Sequence, residues 1–169
     1  ILAVNSSPSF DPNLFASAIG RKDVGKYLHD SDAPMVNRGI RGQFPPGSTF
    51  KVITALAALE EHKISSRTVF NCPGFMVIGG NRFRCWADAG HGAQALSEAF
   101  AHSCDVFFYN TGLSAGVDAI YEKSLVFGRA KPTGIDLPSE KNGFVPSRDW
   151  KRSAYHSPWY VGDTANLAI

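Results

Sequence analysis

No apolar stretch in this sequence approaches the length of a membrane span, and the opening Ile1-Leu2-Ala3-Val4 is no signal peptide. Any targeting or anchoring segment is therefore expected outside these residues. Dense runs of lysine or arginine are also absent, and a formal net charge of +2 over 169 residues is small, which argues against nucleic acid as a partner. Repeats, low-complexity segments and shifts in composition that would mark a second domain are missing too. With 44% hydrophobic and 19% charged residues, the chain can bury a real core, which excludes wholesale disorder. Cysteine is scarce and odd in number: Cys72, Cys85 and Cys104. Oxidation would leave one thiol unpaired, whereas a metal could use all three.

Along the chain, Ile1 to Val4 reads as a short buried strand ended by Asn5-Ser6-Ser7-Pro8. A polar segment follows from Asp11 to Gly42, with weak helical pattern around Leu14 to Ile19. Pro45-Pro46-Gly47 stops whatever precedes it, and Ser48 stands at a helix start. Thr49 to His62 is the clearest helix; Val52, Ile53, Leu56, Leu59 and several alanines make it apolar almost all round, as a core helix is. Val69 to Gly92 is dense in Gly, Cys and aromatics and reads as small strands or an irregular loop. Ala93 to Ala101 has helical spacing, Val106 to Tyr109 is an aromatic run after a polar break, and Val117 to Phe127 is amphipathic. The tail, with Gly134, Pro138, Gly143 and Pro146, is turn-rich and stops in mid-pattern at Leu167-Ala168-Ile169.

Ser48 and Lys51 are three residues apart, so on a helix they share a face and the Lys51 amine can reach the Ser48 hydroxyl. A serine is a weak nucleophile until an adjacent base takes its proton, and the helix N-terminus favours a developing negative charge. The plain alternative is that Ser48 caps the helix and Lys51 is a solvated first-turn residue. A serine opening a long core-type helix directly after Pro-Pro-Gly is far rarer than the bare spacing.

Phe44-Pro45-Pro46-Gly47-Ser48-Thr49-Phe50-Lys51 resembles the first active-site motif, P-P-G-S-x-x-K, of the class B penicillin-binding proteins. Ser7-Pro8-Ser9-Phe10-Asp11-Pro12-Asn13, Gly90-His91-Gly92, Ser103-Cys104-Asp105-Val106-Phe107-Phe108-Tyr109, Thr133-Gly134-Ile135-Asp136-Leu137 and Pro158-Trp159-Tyr160-x-Gly162-Asp163-Thr164 follow in that family's order. The nearest likeness is to its cell-elongation branch. The resemblance implies an α+β fold, with an antiparallel sheet flanked by helices, shared with serine β-lactamases. Residues 1–169 would be the N-terminal and central part of a transpeptidase domain. It also implies a peptidoglycan D,D-transpeptidase whose Ser48 is acylated by D-Ala-D-Ala stem peptides or by β-lactam antibiotics. Lys51 would be the base and Ser103 a proton relay bonded to Lys51. The implied location is the bacterial periplasm, with an inner-membrane anchor, beside a cell-elongation glycosyltransferase and scaffold proteins.

Two departures from the family pattern stand out. Asp105 occupies a position where most relatives carry Asn, and an acid cannot donate an amide hydrogen bond. The third motif, Lys-Thr-Gly, does not occur; Lys131-Pro132-Thr133-Gly134 has an inserted proline that suits a turn better than an active-site strand. The chain is read as ending before that motif, so chemistry by these residues alone is not expected.

Cys72, Cys85, His91 and Cys104, with twelve, five and twelve residues between them, form a Cys₃His set whose donors suit tetrahedral structural zinc. Some relatives of the elongation branch carry a zinc site at matching positions, built from Asp, Cys and His, so the resemblance supports the metal. A Cys72–Cys85 disulfide with Cys104 buried, or three buried thiols, are the alternatives. His102 reads as a helix-end cation. Three other functions share these features: a serine β-lactamase, a β-lactam sensor without catalysis, and a zinc-stabilised interaction module.

Overall fold

The computed structural model describes residues 2–16 and 21–169, which fall into two compact units, residues 1–44 with 132–143, and residues 45–131 with 144–169. The element order is helix α1 (Arg21–Leu28), α2 (Arg38–Arg41), α3 (Lys51–Glu60), strands β1 (Phe70–Cys72), β2 (Phe75–Ile78), β3 (Asn81–Arg84) and β4 (Gly92–Gln94), then α4 (Leu96–Ala101), α5 (Asp105–Ala115), α6 (Val117–Val126), α7 (Arg148–Tyr155) and α8 (Val161–Leu167).

Among the described residues, capping hydrogen bonds tie the smaller unit together. Ser6 Oγ accepts the Arg38 N–H at 2.9 Å and donates to the Val36 carbonyl, while Asn37 caps α2 through the Gly39 N–H. Lys141 N–H donates to the Ile40 carbonyl at 2.9 Å, which ties the returning segment to α2. The strand expected over Ile1–Val4 is not formed: Leu2 to Val4 are irregular and exposed, and among the described residues no strand lies beside them to take up their backbone groups. Ile1 itself lies outside the described residues, as do residues 17–19 of the weak helical pattern over Leu14 to Ile19, whose first two residues belong to a 3-10 turn, Pro12–Phe15. Lys131-Pro132-Thr133-Gly134 forms no strand.

The larger unit is built around α5. Val106, Phe107, Phe108, Tyr109, Thr111 and Gly112 of that helix are all buried, so it is apolar nearly all round, and α3, α4, α6, α8 and β1 to β3 all pack on it. Phe107 and Phe108 are 0% exposed, each burial contributing about 1.5–3 kcal/mol. The buried hydroxyls of Thr111 and Ser124 donate back to the carbonyls of Phe107 and Ile120 one turn earlier, so neither is left unpaired. Helix α3 runs through this core as its composition requires, burying Ile53, Thr54, Ala55, Ala57 and Ala58, and Thr54 Oγ1 ties it to the Ala168 carbonyl at 2.9 Å.

The turn-rich segment resolves into two antiparallel pairs, β1 with β4 and β2 with β3, rather than one central sheet. Gly79 and Gly80 join β2 to β3 with φ of 57° and 81°, the two positive values a tight hairpin of right-twisted strands needs. Neither α7 nor α8 shows in the periodicity of the tail. No residue of α7 is buried; Ser147 caps it by accepting the Trp150 N–H at 3.1 Å. In α8 the Asp163 carboxylate accepts the Tyr160 N–H at 2.7 Å.

Gly112 sets the distance between α5 and α8, because a Cβ there would collide with the Ala168 methyl group. Helix propensity favours alanine by about 1 kcal/mol, but overpacking of this kind costs about 1–3 kcal/mol. Gly112→Ala is therefore expected to destabilise by about 1–2 kcal/mol in urea denaturation; an unchanged or raised midpoint would mean that α8 does not sit against α5 at this position.

Candidate active site and metal cluster

Ser48 sits in a 3-10 turn, Gly47–Phe50, that leads into α3, and it is exposed. Lys51, the first residue of α3, is 1% exposed. Its ammonium makes three hydrogen bonds, to the Ser103 carbonyl at 2.8 Å, to Ser103 Oγ at 2.9 Å and to Asp105 Oδ1 at 2.6 Å. Three donors therefore meet three acceptors, with the Phe108 ring centroid 5.5 Å away on another side. Ser103 Oγ in turn donates to Ser48 Oγ at 3.0 Å. The solvated first-turn lysine and the capping serine are thereby ruled out: no side chain caps this helix start, and the lysine is buried in the second motif. The direct reach across one helical turn is replaced by a chain in which Lys51 and Ser48 meet on Ser103.

The loop before α5 explains how Ser103 gets there. Ser103 adopts φ of 48°, a left-handed conformation unusual for a side chain with a Cβ. It is fixed on both sides, since its own N–H donates to the Phe100 carbonyl and the Cys104 N–H to the Ala99 carbonyl at 2.9 Å. Asp105 opens α5, where its carboxylate faces the positive end of the helix. Its second oxygen, Oδ2, accepts the backbone N–H of Trp86 at 3.1 Å. Tyr109, one turn on, donates its hydroxyl to the Arg84 carbonyl; burial, with the charges of Asp105 and Cys85 nearby, pushes its phenol up to about 12.

Beside this cluster, the ligand atoms of Cys72, Cys85, His91 and Cys104 lie within 4.8 Å of one another, and together they could hold a metal ion. His91 Nδ1 is 3.7 Å from Cys72 Sγ and 3.6 Å from Cys85 Sγ. All three cysteines are buried and free, so no disulfide joins Cys72 to Cys85. The strand pair brings two of the four together, Cys72 facing Gly92 in register with His91 next to it. Gly90, at φ of 80°, permits this approach, because a Cβ there would strike the backbone of Cys72 to Gly74. Burial raises the Cys72 thiol, but hydrogen bonds from the His91 and Gly74 backbone and from the Cys104 and Cys85 thiols outweigh it and leave Cys72 below the usual thiol range. Burial drives Cys104 the other way, to about 12, helped by the neighbouring Cys72 and Cys85 charges. Packed thiols that cannot all ionise together in an apolar pocket are what a cation would relieve.

Two residues that the sequence did not mark, Gln94 and Trp86, complete the setting with His102. Gln94 is buried and donates to the carbonyls of His91 and Ala93, while its Oε1 meets His102 Nδ1 at 2.6 Å. His102, expected as a helix-end cation, does end α4, and its ring also stacks on His91 with centroids 5.5 Å apart and planes 3° from parallel. Trp86 enters through a backbone group, which no side-chain motif announces.

With this geometry in place, the likeness to known proteins is specific. Residues 1–169 match the Penicillin binding protein transpeptidase domain. The chain is similar to the peptidoglycan D,D-transpeptidase MrdA of Escherichia coli strain K12, 39% identical over 171 residues, covering all of this chain and 27% of that protein. Its fold is similar to Pseudomonas aeruginosa PBP2 in complex with WCK 5153, at a TM-score of 0.91 and 34% identity, over 98% of this chain and 38% of that one. It is similar also to PBP2 of Helicobacter pylori in its complex with MreC, at a TM-score of 0.93 and 34% identity, over 98% of this chain and 31% of that one. The chain thus spans about a quarter of the length of the curated relatives it matches. On the match over its whole length, the chain belongs to the penicillin-binding protein transpeptidase family.

Proposed function

We propose that this chain supplies the nucleophile side of a peptidoglycan D,D-transpeptidase, with Ser48 as the residue acylated by D-Ala-D-Ala stem peptides and by β-lactams. The observation that carries the reading is the hydrogen-bonded chain Lys51 Nζ, Ser103 Oγ, Ser48 Oγ, which ends on an exposed hydroxyl. In the acylation step Ser48 Oγ bonds to the penultimate D-Ala carbonyl carbon, the peptide C–N bond breaks, and the terminal D-Ala departs as a free amine. Lys51 serves here as the neutral amine, one ammonium proton having first passed to solvent; the proton lost by Ser48 moves through Ser103 Oγ to that amine and is returned to the leaving nitrogen. In the second step an acceptor amine bonds to the acyl carbon, the ester bond to Ser48 Oγ breaks, and the amine's proton passes back to Ser48 Oγ. Asp105 does not touch the reacting atoms; it holds the Lys51 ammonium against Ser103.

The metal cluster supports this arrangement from behind. Zinc bonds of about 2.3 Å to sulfur and 2.0–2.1 Å to nitrogen, at tetrahedral angles, put sulfur and nitrogen ligands roughly 3.6 Å apart. The separations of His91 Nδ1 from Cys72 and Cys85 Sγ match that spacing. His91 Nε2 is buried without a hydrogen-bond partner among the described residues, so it lacks the contact that usually orients a metal-bound imidazole. Cys72, Cys85, His91 and Cys104 would hold the ion as a closed structural site, where zinc supplies folding energy and no open coordination position. Cys104 lies between Ser103 and Asp105, so the same ion would fix the loop that carries the relay. Within this reading the domain works in the periplasm, carried by an inner-membrane anchor, and its partners include a cell-elongation glycosyltransferase and scaffold proteins. No helix among the described residues is long and apolar enough to cross a membrane.

Intact-mass spectrometry of the full-length protein with benzylpenicillin tests the nucleophile. A stable adduct of one penicillin is expected, absent in Ser48→Ala; rapid turnover without an adduct would favour a β-lactamase, and no reaction by folded, metal-replete protein would overturn the acyltransferase reading. Elemental analysis should find one zinc per chain, reduced in Cys104→Ser, and chelation should lower the melting temperature by about 5 °C or more. A melting temperature indifferent to the chelator would remove the structural metal. Lys51→Met, which strands the Asp105 carboxylate beside a buried surface, is expected to cost about 3 kcal/mol in denaturant titration, part of it recovered when Asp105→Asn is added. Strict additivity of the two changes would show that they do not act on one another.

A further inference from the structure

Trp86 combines two properties that folding alone does not bring together. It is 67% exposed, yet both of its N–H groups are committed to protein acceptors. The backbone N–H donates to Asp105 Oδ2 at 3.1 Å and the indole Nε1–H to the His102 carbonyl at 2.9 Å. The ring also meets His91 edge to face, with centroids 5.1 Å apart. A tryptophan left at a surface by default turns its polar edge to water and buries its apolar body. Here the polar edge is held by the protein and much of the apolar body is left in water, in one orientation.

The anchors say where that surface stands. Asp105 is the partner of Lys51, and His102 immediately precedes Ser103, whose hydroxyl donates to Ser48. The indole is therefore fixed to the residue that precedes the relay serine, and both it and Ser48 are exposed. A rigid aromatic surface with no rotamer freedom left to lose is the kind that takes an apolar group at low entropic cost.

We propose that Trp86 is a specificity-determining residue, whose exposed indole packs against the apolar side chain of the acyl donor as that donor settles on Ser48. The inference rests on the transpeptidase reading of Ser48 above. Its effect belongs to the encounter complex and not to the chemical step, because neither N–H donor of Trp86 remains free to reach the reacting carbonyl.

The test compares two penicillins in the full-length protein: benzylpenicillin, with its phenylacetyl side chain, and 6-aminopenicillanic acid, the same nucleus without it. Stopped-flow acylation separates the dissociation constant of the encounter complex from the acylation rate constant. Trp86→Ala is expected to raise that dissociation constant about tenfold for benzylpenicillin, with the rate constant and the reaction of 6-aminopenicillanic acid changed less than about twofold. Trp86→Phe, which keeps an aromatic face, should retain most of the discrimination. Trp86→Gln, which keeps a donor for the His102 carbonyl without the ring, should lose it as alanine does, and it stands in if the alanine variant does not fold. Equal losses for both penicillins, or a fall in the acylation rate constant accompanied by loss of bound zinc, would mean a structural role and overturn the proposal. Unchanged discrimination in the glutamine variant would overturn it as well. Failure of the wild-type protein to acylate with either compound would instead remove the reading of Ser48 on which it rests.

Discussion

An ammonium group that is taken out of water costs several kcal/mol unless each of its N–H bonds finds an acceptor, and Lys51 is 1% exposed. Much of the geometry of the larger unit follows from meeting that demand. The three acceptors come from two residues at the start of α5, so the N-terminus of α5 must lie against the first turn of α3. Ser103 must take a left-handed backbone to offer its carbonyl and hydroxyl to the same nitrogen, which costs on the order of 1–3 kcal/mol. The packing that holds this strain in place is that of α5, whose aromatic residues are buried on several sides and whose Gly112 lets α8 close against it.

A buried ion pair of this kind is a poor source of net stability, since desolvation offsets most of the attraction. Its contribution is positional: it leaves Ser103 with one arrangement in which the hydroxyl both accepts from Lys51 and donates to Ser48. The Cys₃His cluster involves the same few residues. Cys104 separates Ser103 from Asp105, and Cys85 precedes the Trp86 N–H that holds the second Asp105 oxygen. Either a shift of β3 or a shift of the loop before α5 would therefore disturb both the sulfur cluster and the Lys51 acceptors. The four donor atoms and the three acceptors form one connected structure rather than two sites that happen to be close.

How much of this is legible in the sequence differs by residue. Ser48 and Lys51 are, because an apolar helix opened by Pro-Pro-Gly-Ser is rare; the Cys₃His set is, because donor types survive wide spacing. The α3, α5 and α6 segments show as apolar patterns since each buries a face or more. Helix α7 leaves no such trace, because none of its residues is buried and its only local sign is the Ser147 cap. The strand read into Ile1–Val4 fails for the converse reason: an apolar run makes a strand only where another strand takes its hydrogen bonds. Contacts made by backbone atoms, such as the Trp86 N–H on Asp105 and the Ser103 carbonyl on Lys51, are invisible to any pattern of side chains. Gln94 is missed, and His102 is read only as a helix-end cation, because their contacts are with His91 and with one another.

Asp105 shows how such a contact decides a residue. From the sequence, an acid at a position where an amide is usual looks like a lost donor. In the structure both carboxylate oxygens accept, one from the Lys51 ammonium and one from the Trp86 N–H. A carboxylate is acceptor-only and meets two converging donors without conflict. An amide has a single acceptor oxygen, so its NH₂ would be turned against either the ammonium or the backbone N–H, donor facing donor in a place too enclosed for water to relieve. The acid is thus the residue type this arrangement requires, given that the chain after Cys85 delivers an N–H to it. A site in which that backbone donor was absent would have no such requirement, and the amide would serve there equally well.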